Sequence, residues 1–185
     1  FENLQFGEPA TVAVTDTISK VTAVLEVDNS TVVEGGKITY TVTLISEDTK
    51  LPVTGHGGVT VTLTGGTQVH IEAGASSGQI SINAPDDVYV GGQPDITKSI
   101  TDITVTGDAK FENLVADPQS VTTKVTDEPG TENNPNPGGE NEGDLVKVSI
   151  SAVEKSVDEA TAPNFVVTLN KPLDKPLTVT LSNGD

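Results

Sequence analysis

Apolar and polar residues alternate with a period of two in several stretches of the chain, among them 38–44, 59–63 and 100–105. Strict alternation is the pattern of a β-strand with one buried and one solvated face, and no stretch shows a helical period of apolar residues. Turns rich in Gly, Asp and Pro separate the alternating runs. The pattern therefore predicts an all-β chain with seven strands, at about 22–27, 37–45, 58–64, 67–72, 78–84, 96–106 and 119–126.

Seven short strands between residues 20 and 127 have the size and rhythm of an immunoglobulin-like β-sandwich. The Cys and Trp hallmarks of that fold are missing, because the chain contains neither residue type. Aromatic residues make up only 3 % of the chain. We therefore expect a core of Val, Ile and Leu completed by Tyr40 and Phe111.

The chain also repeats itself, which predicts tandem repeats of one domain. Phe1-Glu2-Asn3-Leu4 recurs as Phe111-Glu112-Asn113-Leu114, and the stretch 21–44 aligns without a gap with 146–169, placing Glu34 over Glu159. Four segments follow: the C-terminal strand of a preceding repeat (1–18), a complete repeat (20–127), a Pro/Gly/Asn/Glu-rich linker that we expect to be extended (128–144), and the truncated N-terminal part of the next repeat (145–185). The chain thus reads as an internal part of a longer protein.

Charge limits the possible partners. The 27 acidic residues outweigh 10 basic ones and give a formal net charge of −17, which disfavours nucleic acids and anionic membranes. No run of about 18 apolar residues exists to span a bilayer, so no membrane insertion is expected. The absence of Cys excludes a disulfide framework, a zinc–thiolate site and a cysteine nucleophile.

Four carboxylates are expected to meet at one end of the complete repeat. If consecutive strands run antiparallel, the first, third and fifth connections and the end of the last strand lie at the same end, which collects Glu34, Asp86, Asp87 and Asp127. We call these four residues the acidic pole. Clustered carboxylates repel unless a hard cation such as Ca²⁺ bridges them, so these four are the predicted Ca²⁺ ligands. The alternative is that they are solvated turn residues.

No catalytic arrangement is visible, and we do not expect an enzyme. The chain lacks a Gly-x-Ser-x-Gly elbow and a phosphate-binding loop, and spacing alone cannot support a Ser-His-Asp arrangement. Its two histidines, His56 in a Gly-rich turn and His70 at an outward strand position, are too isolated to predict a zinc site.

Several motifs in a fixed order resemble the tandem immunoglobulin-like repeats of large bacterial RTX adhesins, with the closest likeness to the Pseudomonas biofilm adhesins. The resemblance implies a secreted, cell-surface protein, exported by a type I secretion system, whose repeats form a stalk for attachment and biofilm formation. It also implies Ca²⁺ near repeat junctions, on Glu34, Asp86, Asp87 and Asp127, and neighbouring repeats as the main partners. The motifs are Val33-Glu34-Gly35-Gly36, the runs 38–44 and 59–63, Ala84-Pro85-Asp86-Asp87-Val88-Tyr89, Phe111-Glu112-Asn113-Leu114 and Val125-Thr126-Asp127.

Two other interpretations stay open. In the first, the repeat itself is a ligand- or glycan-binding adhesive module, which needs exposed aromatic rings to stack on sugars. With Tyr40 expected in the core, only Tyr89 and Phe6 remain for this role. In the stalk interpretation, surface or matrix polysaccharide is contacted through other domains. The strand edges at 1–18 and 145–185 also predict strand-exchange self-association.

Overall fold

The computed structural model describes residues 2–5, 7–15, 17–89, 91, 93–107, 111–127 and 146–182. The predicted linker 128–144 and Phe6 lie outside this part of the chain. Within the described residues the fold is all-β, with twelve strands and no helix. The strands are β1 (Lys20–Val27), β2 (Thr31–Val33), β3 (Lys37–Ser46), β4 (Val59–Leu63), β5 (Gln68–Ile71), β6 (Ser77–Asn83), β7 (Ile96–Lys98), β8 (Ile100–Val105), β9 (Asn113–Ala116), β10 (Val121–Thr126), β11 (Val148–Ala152) and β12 (Phe165–Leu169).

The strands form several sheets, as a β-sandwich requires. Their orders are β6-β3-β1-β9, β5-β4-β8, β2-β10-β7 and β11-β12. Burial alternates along the longest strand, β3, where Ile38, Tyr40, Val42 and Leu44 are all 0 % exposed and the residues between them are half-buried. The predicted all-β sandwich is therefore confirmed, while the tandem repeat stays a prediction.

Two features of the strand pattern differ from the expectation. The predicted strand 96–106 is divided at Ser99 into β7 and β8, which belong to different sheets. Ser99 is bonded to one residue, Thr64, through its amide (3.2 Å), its carbonyl (2.9 Å) and its hydroxyl (2.8 Å), and these local bonds mark the interruption of the strand. In addition, β1 pairs parallel with β9, and β2 pairs parallel with β10, and neither β2 nor β9 is among the seven predicted strands.

The chain divides into two compact units, which are described separately. The first contains the described residues of Phe1–Glu26, Tyr40–Ile80 and Lys98–Val121, and the second those of Val27–Thr39, Ser81–Thr97 and Thr122–Asp185. The described residues of 1–18 contain no strand, and their apolar side chains are exposed, from 69 % for Leu4 to 92 % for Val14.

The first unit is built around β4. Val59, Val61 and Leu63 alternate inward at 0–2 % exposure, and Val61 lies opposite Val69 of β5 and Ile103 of β8. These cross-strand apolar pairs remove side-chain surface from water at about 25 cal/mol per Å². The outward residue Thr60 pairs with exposed His70 through a 3.0 Å hydrogen bond, in agreement with the outward position predicted for this histidine.

His56 has a structural role in the first unit. The side chain is buried, its Nε2 lies 2.6 Å from the Ala75 carbonyl, and its Nδ1 accepts a 3.1 Å hydrogen bond from Gly58 N. Since a carbonyl can only accept, Nε2 carries the proton and the ring is the neutral Nε2–H tautomer. The imidazole also packs on the half-buried ring of Phe111, with 5.4 Å between centroids. Both ring nitrogens are used in packing the turn.

Candidate functional site at the acidic pole

Backbone hydrogen bonds tie the segments of the acidic pole together in the second unit. Glu34, directly after β2, donates its amide to Thr126 O at the end of β10 (2.8 Å). The next residue, Gly35, donates to Pro85 O after β6 (3.2 Å). Gly35 has a φ of +67°, in the left-handed region that glycine enters without strain. The Glu-Gly step therefore fastens three strand ends at one place.

The side chains of Glu34 and Asp86 differ in their exposure. Glu34 is only 5 % exposed, although carboxylates seldom occupy buried positions. Asp86 is exposed, and its carboxyl group lies against the backbone of Gly35, where an ideal Cβ would stand 3.7 Å from Asp86 Cγ and Oδ2. A Cβ at this distance would make ordinary van der Waals contact, so the positive φ of Gly35, and not a lack of room, favours glycine there.

Asp87 organises its own loop. Its Oδ1 accepts a 2.7 Å hydrogen bond from Tyr89 N, and its Oδ2 accepts a 2.6 Å hydrogen bond from Gln93 Nε2. The first bond is an Asx-type turn, in which a side-chain oxygen replaces a backbone acceptor. Each carboxylate oxygen retains a further lone pair, so these bonds do not exhaust its capacity to accept.

Asp127 follows β10 and is exposed. Its Oδ2 accepts a 2.9 Å hydrogen bond from Gly91 N. The loop between β6 and β7 is therefore held by Asp87 from within and by Asp127 from the end of β10. The four predicted ligands lie on connected segments, but among the described residues no group of three or more His, Asp or Glu side chains is arranged to hold a metal ion.

A groove of about 270 Å³ brings two of the predicted ligands beside residues that the sequence analysis did not select. Asp86 and Asp87 share it with Asp174, and Lys171 contributes a positive charge. Carboxylate oxygens are the donors that Ca²⁺ prefers, so the donor chemistry fits this cation. We call this the junction groove; its lining is Asp86, Asp87, Val88, Tyr89, Lys171, Pro172 and Asp174.

Tyr89 is the main site residue that the sequence analysis assigned to another role. Lys175 N donates a 2.7 Å hydrogen bond to Tyr89 Oη, and Lys175 Nζ lies 4.0 Å from the centroid of the same ring. An ammonium over an aromatic face is attracted by the ring quadrupole. Lys175 therefore covers one face of the ring on which a sugar would stack, and Tyr40, as predicted, is completely buried.

The pKa values of Glu47 and Asp28, two carboxylates outside the acidic pole, are lowered. The pKa of Glu47 is lowered to about 2, chiefly by its hydrogen bond to Lys50 and then by that from Thr22. The pKa of Asp28 is also lowered, mainly by the backbone N–H of Thr39, which donates to its Oδ1 at 2.9 Å. Both carboxylates are ionised and engaged in local structure at neutral pH.

The described residues contain no helix long and apolar enough to cross a membrane. A family model described as the LapA domain matches residues 20–128, from the first residue of β1 to the residue after Asp127. No curated protein and no solved structure matches the chain.

Proposed function

This chain belongs to the LapA domain family, and from that premise we propose that it is a structural extender repeat in the stalk of an adhesin. LapA is a Pseudomonas biofilm adhesin, and membership of its family indicates a role in adhesion or biofilm at the cell surface or outside the cell. The role we propose is mechanical rather than catalytic. Type I secretion and an RTX architecture stay predictions from the resemblance.

The parallel pairing of β2 with β10 is the observation that carries this proposal. Thr31, Val32 and Val33 lie opposite Lys124, Val125 and Thr126. β2 is close to the amino-terminal end of the matched domain, and β10 is at its carboxyl-terminal end. Tension between the two ends of the domain loads two parallel neighbouring strands in shear. Their hydrogen bonds then resist the force together instead of breaking one at a time. Such a pair suits a domain that transmits force.

Side chains reinforce this pair. Thr123 is 0 % exposed, and its hydroxyl donates a 2.9 Å hydrogen bond to Asn29 O. Thr126 Oγ1 donates a 3.3 Å hydrogen bond to Val32 O. With the bonds from Lys124 N to Ser30 O (2.9 Å) and from Glu34 N to Thr126 O (2.8 Å), both main chain and side chains resist sliding.

Single-molecule force spectroscopy on the whole chain tests the mechanical role. Thr123→Val keeps the side-chain shape and removes the hydroxyl bond from β10 to Asn29, two residues before β2, which costs about 0.5–1.5 kcal/mol. Thr60→Val is the matched control, because it removes a hydroxyl bond between β4 and β5. We expect a lower unfolding force in Thr123→Val only. An equal force in Thr123→Val and the unmodified chain would refute the load-bearing role of this pair.

We further propose that the acidic pole binds Ca²⁺ and that the cation stiffens the stalk. The support is the donor chemistry: Glu34, Asp86, Asp87 and Asp127 supply hard oxygen atoms from segments that backbone bonds hold together. Bound Ca²⁺ would supply the positive charge that relieves repulsion among these carboxylates. Asp87 and Asp127 already fix the loop between β6 and β7 through hydrogen bonds of their own carboxylates.

Calcium titration into the chelator-treated chain tests this second proposal, with thermal unfolding and small-angle scattering as readouts. At a Ca²⁺ concentration 100 times its Kd, binding to the folded state adds about 2.7 kcal/mol. We expect Glu34→Gln and Asp87→Asn to lose the rise in Tm. Glu72→Gln, at an exposed acid outside the pole, should keep it. An unchanged Tm and scattering profile in the unmodified chain would leave the four acids as solvated turn residues.

A further inference from the structure

The contact between Tyr89 and Lys175 joins the matched domain to the segment that follows it. Tyr89 lies on the loop after β6, whereas Lys175 follows β12, beyond the end of the family match at residue 128. The contact has two parts, the 2.7 Å hydrogen bond from Lys175 N to Tyr89 Oη and the 4.0 Å approach of Lys175 Nζ to the ring centroid. Main chain and side chain of one lysine are thus fixed on one tyrosine.

The hairpin of β11 and β12 has the strand register of β1 and β3. Val148 lies opposite Leu169, and Ile150 opposite Val167. Shifted by the offset of the internal alignment, these pairs become 23 with 44 and 25 with 42. The same register contains the bonds from Glu47 N to Lys20 O (2.9 Å) and from Asp28 N to Thr39 O (3.0 Å). Residues 146–169 therefore repeat the first strand pair in geometry as well as in sequence.

Continued past Leu169, the alignment places Lys175 at the position of Lys50. Lys50 pairs with Glu47 at 2.6 Å, and its side chain is 71 % exposed. The counterpart of Glu47 is Pro172, so this position holds no carboxylate to pair with Lys175. One substitution thus explains why the same lysine makes a local ion pair in the first copy and reaches Tyr89 in the second.

Charge across the junction groove favours the same contact. The loop after β6 contributes Asp86 and Asp87, while the facing segment contributes Lys171 and, beside the groove, Lys175. Asp174 is the one acid that the facing segment adds to the groove lining. Opposite charges on two facing loops favour this docking over the approach of two acidic surfaces.

We infer that Tyr89 and Lys175 form a head-to-tail latch between consecutive copies of the domain. The loop 86–89 contacts the loop that follows β12, which is the counterpart of β3 in the next copy. The latch fixes the orientation of that copy relative to the first. This inference rests on the proposed extender function. The latch uses no metal ion, so it restricts bending in the absence of Ca²⁺ as well as in its presence.

Double electron–electron resonance, which measures the distance between two spin labels, tests the latch on the full chain in EGTA. The chain has no Cys, so two spin labels attach only at the introduced sites Asn83→Cys and Ser151→Cys, both exposed. We expect one narrow distance distribution in the unmodified sequence. Lys175→Met and Tyr89→Ala should raise the population outside the main peak roughly two- to fivefold each. Tyr89→Phe keeps the ring but loses the hydroxyl, so its population outside the main peak should lie between those of the unmodified chain and Tyr89→Ala.

Two further variants make the result specific. Lys50→Met, at the aligned position, should leave the distribution unchanged, because that lysine pairs with Glu47. The double variant Tyr89→Ala/Lys175→Met should be no broader than Tyr89→Ala alone, since Lys175→Met removes only the ammonium–ring part of a contact that Tyr89→Ala removes completely. Thermal unfolding of every variant checks that the domain remains folded.

Either of two outcomes overturns the latch: a broad distribution in the unmodified chain, or a distribution in Tyr89→Ala, which removes both parts of the contact, identical to that of the unmodified chain. Neither outcome would contradict the proposed extender function, which other experiments test. The force measurement on Thr123→Val reports on the pairing within one domain, and the calcium titration reports on the acidic pole. A chain that resists force without a latch would retain the extender function with junctions held only by the linker.

Discussion

Replacing Gly78 by alanine tests the closest backbone approach in the first unit. A Cβ at this position would stand 2.0 Å from His70 O and 2.7 Å from His70 C. Ordinary contact begins at 3.4 Å, so the backbones of β5 and β6 must separate by roughly 1.4 Å. This shift would also strain the nearby bond from Leu44 N to Ser76 O (2.9 Å).

Two opposing terms decide how much Gly78→Ala changes the free energy of unfolding. Forcing atoms into a filled space costs about 2–3 kcal/mol, whereas the lower entropy of the unfolded chain with alanine returns about 0.4–1 kcal/mol. The expected net loss is about 1–3 kcal/mol, or a Tm lower by about 5–15 °C for a domain of this size. Urea denaturation followed by circular dichroism measures it, as a lower midpoint with an unchanged m-value.

Gly55→Ala is the matched control. Nothing lies within 4 Å of a Cβ there, and the φ of Gly55 is outside the left-handed region. We expect this variant to gain about 0.4–1 kcal/mol from the unfolded-state term alone. If Gly78→Ala proved as stable as Gly55→Ala, the proposed contact between β5 and β6 would be refuted.

Two other variants give simpler tests. Lys50→Met should raise the pKa of Glu47 from about 2 toward its ordinary 4.5, measured by NMR titration of the side-chain carboxyl. Because the folded-state pKa is the lower one, the stabilisation from this pair is complete above about pH 4.5 and is lost as the pH falls through 2. Val167→Thr should reduce any concentration-dependent dimer measured by light scattering. The reason is that Val167 lies on the exposed apolar face of the hairpin β11–β12, which would mediate strand exchange. An unchanged dimer population would exclude this face as the dimer interface.

The strands were predictable where one face is buried and the other is solvated. In β3 and β4 the alternating pattern gives both the strand and its buried residues, including Tyr40. β2 and β9 escaped prediction, because three- and four-residue strands contain too little alternation to detect. Their parallel partners lie far away in sequence, at a distance that local pattern does not reach.

The acidic pole was predictable as a set of segments and not as a set of contacts. Topological counting names Glu34, Asp86, Asp87 and Asp127, but the carboxylate of Asp87 is directed to Tyr89 N and Gln93 Nε2 inside its own loop. That direction depends on loop conformation, which residue types alone do not specify. Tyr89 considered by itself suggested a sugar platform, and only the position of Lys175 gives its ring another role.

Repeated domains can keep one core and still differ at their junctions. The two aligned strand pairs share their register, since Ile150 faces Val167 where Leu25 and Val42 occupy the aligned positions. Packing constrains Leu25 and Val42 strongly, because both are buried and a change of volume in a close-packed interior costs stability. The loop position of Glu47 and Pro172 carries no such constraint: Lys50 pairs with Glu47 in its own loop, whereas Lys175 contacts Tyr89 in the latch that we infer. In a chain built from such copies, bending stiffness can therefore vary from junction to junction while the fold of every repeat stays the same.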